Sequence, residues 1–124
     1  MRDVLFIGGF GAIGCVSRYY LSAWVYLLIG KGFPYGTFAV NILGAFFIGI
    51  VMEFSLRSTV ISQDLRQGLT IGFMGGLTTF STFSYETFRL LEAGQFMVAL
   101  SNMLLSVLVC LVFTWLGIQA ARSI

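Results

Sequence analysis

From Ala93 to Ala121 the chain runs for 29 residues without a charge. A helix of about 20 apolar residues already crosses the hydrocarbon core of a bilayer, so this single run is hard to place in a soluble fold. Shorter runs repeat the pattern. Phe33 to Met52 holds 20 uncharged residues, Gln67 to Tyr85 holds 19, and Val4 to Gly30 is interrupted only by Arg18. Four spans are predicted, near 4–29, 35–56, 67–91 and 95–121. Lipid gives backbone polar groups no partner, so helices are the default, and the alternation of a membrane barrel strand is absent. Arg2 ahead of the first run faintly resembles a signal peptide. No small-x-small cleavage site precedes the next span, so a retained first helix is expected.

Composition narrows the function classes. Of 124 residues, 58% are hydrophobic and 10% charged, far from the usual quarter of charged residues in a soluble domain. A small soluble domain buries too little surface to hide that load. The net charge of +2, with no basic tract, leaves nothing to neutralise a nucleic-acid backbone. Histidine is absent, which removes the commonest general base and metal ligand. No nucleophile–base pair stands out, so an enzyme is not expected. Cys15 and Cys110 sit singly in apolar runs and read as inert buried thiols.

The connections are short. Lys31 to Pro34 joins the first two spans, with proline suited to a helix start. Leu56 to Arg66 is the longest loop, and Gly94 is placed to cap the third span. With no linker or repeat, residues 1–124 read as one four-helix transmembrane domain. An even number of spans puts Arg2, Arg57, Arg66 and Arg122 on one side and Lys31 and Arg89 on the other. That is a weak positive-inside bias, so insertion in either orientation, and antiparallel pairing of two copies, is open. Gly68, Gly72 and Gly76 recur every fourth residue, a doubled small-xxx-small face. It fits either helix packing within one copy or a seam between two.

The polar residues inside the spans are the functional suspects. Arg18, mid-span, either draws an anion into a wet vestibule or satisfies backbone carbonyls. Glu53 and Arg57, four apart, suggest a helical ion pair; Glu86 lies nearer the polar motif. That motif is Gly75-Gly76-Leu77-Thr78-Thr79-Phe80-Ser81-Thr82-Phe83-Ser84. Two glycines weaken a helix and predict a break in the third span. Freed carbonyls there suit a small cation such as Na⁺, and the amides that open the next segment suit an anion. Phe80 and Phe83 share a face, and ring edges are electropositive; the alternative is that both rings are filler. Ser81, Thr82 and Ser84 supply hydroxyls. Thr37 and Asn41, four apart on the second span, glue helices or donate to a passing anion. Asn102 and Ser106 repeat that spacing on the fourth, where packing serves as well.

These residues resemble a known family. The run from Gly75 to Ser84 is similar to the signature of the small bacterial Fluc (CrcB) fluoride channels. Gly36, Thr37, Val40 and Asn41 resemble the G-T-x-x-V-N of their second helix, and Gly14 and Arg18 the G-x-x-x-R of their first. The resemblance implies an all-α, dual-topology, antiparallel homodimer in the bacterial inner membrane. It implies two pores that passively export fluoride and so confer fluoride resistance. Phe80 and Phe83 would line the pore, with Asn41 as a donor and Thr37, Ser81, Thr82, Ser84 and Glu86 along the path. Carbonyls of Gly75 and Thr78 from both copies would hold a structural Na⁺. Arg18, Asn102 and Ser106 would serve the vestibule or the structure. Two rivals share the composition. A small multidrug-resistance-like exporter needs a carboxylate inside its first helix, where this chain has Arg18. A non-transporting assembly subunit would use the polar motif as buried glue.

Overall fold

A computed structural model describes residues 1–124, and every element is helical. The order is α1 (Arg2–Ile29), α2 (Tyr35–Arg57), α3 (Gln63–Gln67), a π-helical stretch (Gly68–Met74), α4 (Gly75–Leu77), α5 (Phe80–Glu92) and α6 (Phe96–Arg122). Helices α1, α2 and α6 are each long and apolar enough to cross a bilayer. The remaining crossing is a split one: α3, the π-helical stretch and α4 run on to Leu77, two residues leave the helix, and α5 begins. Four helical layers thus match four uncharged runs. The chain is a membrane protein by this measure, with its large apolar side chains, such as Leu27, Val60 and Leu111, facing outward.

Each end has a local cause. Pro34 immediately precedes α2, and its carbonyl accepts from the Phe38 amide at 3.0 Å. Ser62 caps α3 by accepting from the Leu65 amide. Helix α5 ends with Gly94 at φ 77°, while the amides of Gly94 and Gln95 return to the Leu91 and Leu90 carbonyls. This is a Schellman turn, which needs the left-handed conformation that glycine adopts without strain.

The first half of the split crossing packs on α1, whereas α5 packs on α6 and more lightly on α2. The glycine ladder explains the first contact. A Cβ on Gly72 would lie 2.6 Å from the Ile7 carbonyl oxygen, and one on Gly76 2.7 Å from that of Gly11. Gly68 meets the Phe6 and Phe10 side chains. The doubled motif is therefore a seam within one copy, with backbone nearly touching backbone, and the alternative of a seam between copies falls away. On the other side, Gly49 and Gly117 let α2 and α6 approach to the same degree, against the backbones of Thr114 and Phe46.

Three expectations are corrected here. The glycine pair does not break the helix: Gly75 and Gly76 are helical, and the break falls at Thr78 and Thr79. Glu53 does not pair with Arg57. It accepts from Arg122 Nε at 2.8 Å, and Arg57 donates to the Ala121 carbonyl. A cross-helix partner is available because α2 and α6 lie so close, and it ties their ends together. Lastly, Cys15 is exposed and Cys110 half-buried.

Candidate functional site

The break is built by three hydroxyl or amide side chains. Thr78 closes the first half by donating both its amide and Oγ1 to the Met74 carbonyl, at 2.9 and 2.8 Å. Its methyl fills the space left by Gly44 on α2. Thr79 is extended, at φ −152° and ψ 122°, and caps α5 by accepting from the Thr82 amide at 3.1 Å. Asn41 then holds Thr79 from both sides. Its Oδ1 accepts from the Thr79 amide at 2.8 Å and its Nδ2 donates to the Thr79 carbonyl at 3.1 Å. Two backbone groups that a helix would have paired are paired by one carboxamide from α2 instead, which is how irregular backbone is tolerated at membrane depth.

Other groups at the break stay open. The Gly75 and Thr78 carbonyls accept no hydrogen bond from within the chain. The Gly76 carbonyl accepts from Arg18 Nε at 3.0 Å. Facing helix ends give the break two characters: carbonyls at the end of α4 favour a cation, amides at the start of α5 an anion. The donor set fits Na⁺, because unpaired carbonyls are hard oxygen ligands of the kind that unwound helices offer to it.

Phe80 and Phe83 follow immediately, with ring centroids 5.5 Å apart and planes tilted by 44°. Phe80 is 79% exposed. Ser81 and Ser84 are also exposed, as is Gly75. Beside them lies a cavity of about 440 Å³, whose wall includes Asn41, Thr78, Phe80, Phe83, Ser106 and Cys110. Gly75 and Thr79 border it too. The break, the ring pair and the α6 hydroxyl thus meet in one hollow.

Glu86 belongs elsewhere. It borders a second cavity of about 480 Å³ with Tyr26, Lys31 and Arg89. Tyr26 donates to its Oε2 at 2.7 Å, and the buried Thr37 donates to its Oε1. One carboxylate is therefore gripped by hydroxyls from α1 and α2. Asn102 is turned inward, 1% exposed, donating to Thr87 Oγ1 at 2.8 Å and accepting from Ser106 at 3.2 Å. Thr87 in turn donates to the Phe83 carbonyl at 2.7 Å. This relay fastens α6 to the helix that carries the ring pair, and it occupies the Asn102 carboxamide oxygen.

The sequence reading gave Tyr26 no role, and it placed Thr79 in the polar motif without its part as the cap of α5. Thr79 had a usable signal, a threonine three residues before another hydroxyl at a helix start. Tyr26 had none, since its partner is 60 residues away.

Packing, hydropathy and the split crossing define a polytopic membrane protein with a polar interruption of the kind that transport proteins place around ions. The chain belongs to the CrcB family: residues 5–118 match the family described as CrcB-like protein, Camphor Resistance (CrcB). Proteins named fluoride-specific ion channel FluC are similar to it along their whole length. That of Geotalea daltonii is 73% identical over 124 residues, that of Geotalea uraniireducens 68% and that of Geobacter metallireducens 64%, each match covering all of both chains.

Proposed function

We propose that the protein is a fluoride channel that lets cytoplasmic fluoride leave passively, and that it is not an enzyme. One observation carries this: the break at Thr78–Thr79 opens directly onto the paired rings of Phe80 and Phe83 in a cavity shared with Asn41 and Ser106. Fluoride is small and strongly hydrated. A path for it must replace water with donors yet bind weakly enough to release. Ring edges supply weak positive potential, and the second Nδ2 hydrogen of Asn41, left over from its bond to Thr79, is a donor at the same wall. Ser81, Thr82 and Ser84 extend the hydroxyl side, and Glu86 with Thr37 stands at the second cavity. The names of the full-length relatives agree with this reading.

The working unit is a homodimer of antiparallel copies in the bacterial inner membrane. Phe80, Ser81, Ser84 and Gly75 are all exposed on the single chain. Hydroxyls and carbonyls facing lipid are costly, so a second copy covers them, and two copies give two paths. The Gly75 and Thr78 carbonyls of both copies would hold a structural Na⁺, which would supply positive charge at the break.

The test is anion efflux from liposomes containing the purified protein alone. Fluoride is expected to leave far faster than chloride, without a proton gradient. Phe80→Ile and Phe83→Ile are each expected to slow fluoride sharply while the protein still folds and pairs. A reconstituted protein no more permeable to fluoride than bare lipid overturns the reading. Release that requires a proton gradient and carries organic cations would favour an exporter.

A further inference from the structure

Arg18 lies one turn beyond Gly14 on α1, and a Cβ on Gly14 would overlap the Phe73 carbonyl. The glycine seam therefore brings a guanidinium to the end of α4. There Nε donates to the Gly76 carbonyl at 3.0 Å. In an unbroken helix that carbonyl would receive the amide four residues on, which is that of Phe80. At the break Phe80 instead opens α5, and no backbone amide reaches Gly76 from beyond α4.

We propose that Arg18 is a positioning residue for the ion path: its Nε–H replaces the lost Phe80 amide on Gly76 and so holds α4 and α5 apart at the angle that presents the ring pair. The claim rests on the reading of the break as an anion path, and it is separable from attraction by charge. What the role requires is a donor at the Nε position, with the geometry of a planar N–H. Glutamine places its amide nitrogen the same number of bonds from Cβ and carries no charge. Lysine keeps the charge but sets its ammonium one atom further out. Methionine keeps bulk and has no donor.

Fluoride efflux, normalised to monodisperse protein in the liposomes, is measured for the unaltered chain and for Arg18→Gln, Arg18→Lys and Arg18→Met. Arg18→Gln is expected to stay within about threefold of the unaltered rate, and Arg18→Met to fall about tenfold or more, the scale of one lost hydrogen bond to a charged donor. A rate for Arg18→Gln as low as for Arg18→Met, or unaltered flux in Arg18→Met, overturns the proposal. If Arg18→Met gives no monodisperse protein, the other pair decides: Arg18→Gln within about threefold of the unaltered rate supports it, and any slower Arg18→Gln overturns it, the residue being assigned to charge where Arg18→Lys still conducts. Hydrogen–deuterium exchange over residues 75–84 reads the same bond without flux, faster in Arg18→Met but not in Arg18→Gln. An unaltered protein that carries no fluoride would sink the path reading alone, and exchange would still judge Arg18.

Discussion

The carboxamide of Asn41 makes two bonds to one residue, Thr79, and both are to backbone groups that the break leaves without a helical partner. Truncation should therefore do more than remove a donor from the proposed path. Asn41→Ala is expected to abolish fluoride efflux and to lower unfolding stability by about 1–3 kcal/mol, the cost of leaving partly buried polar groups unmatched; denaturant titration in detergent checks the second number. Thr79 offers a finer comparison. Thr79→Ser keeps the oxygen that accepts from Thr82, whereas Thr79→Val loses the cap, worth about 1 kcal/mol. A lower thermal midpoint in Thr79→Val alone is the expected result. Legibility at this scale followed covalent distance. The cluster from Gly75 to Ser84 stood out as polar residues in an apolar span, but Tyr26 gripping Glu86 and Arg122 gripping Glu53 did not. Their partners are set by which helices lie side by side, information that no local pattern holds.

Among the elements, the split crossing teaches the clearest lesson about reading glycine. Gly75-Gly76 was expected to interrupt a helix because glycine weakens one. The structure keeps both residues helical and spends Gly76 on the approach to α1, where Gly11 and Cys15 leave no room for a methyl. In sequence, weak helix propensity and close packing write the same letter. The interruption comes two residues later: Thr78 still pairs with Met74 in the turn before, and Thr79 pairs instead with the Asn41 side chain. The number of crossings, by contrast, was plain, because bilayer thickness fixes how long an uncharged run must be. Helix packing yields a matched pair of predictions. Gly76→Ala must push apart two backbones and is expected to destabilise by about 1–3 kcal/mol, as overpacking does. At Gly8 an added methyl would meet nothing within 4 Å, so Gly8→Ala should be neutral or stabilise by up to about 1 kcal/mol through helix propensity. Yield of monodisperse protein and its thermal midpoint distinguish them.

At the scale of the whole molecule, orientation is decided by few charges. Arg2, Arg57, Arg66 and Arg122 lie towards one end, Lys31 and Arg89 towards the other. Arg122 is engaged with Glu53 and Arg2 lies 3.5 Å from Asp64. Added lysines next to the 31–34 and 93–95 connections are expected to turn all copies one way. If the unit needs opposed copies, fluoride efflux then falls, and it returns when a copy biased the other way is expressed alongside; impermeant labelling of a terminal tag reports the orientations. The glycine seam described above bears on this pairing. Because the ladder glycines are consumed inside each copy, recognition between the copies of the proposed pair falls to bulky exposed groups away from the ring pair, such as Leu104 and Leu108. A cell that carries two related genes could keep their products from mixing by exchanging a few of those groups, with the interior of either product untouched.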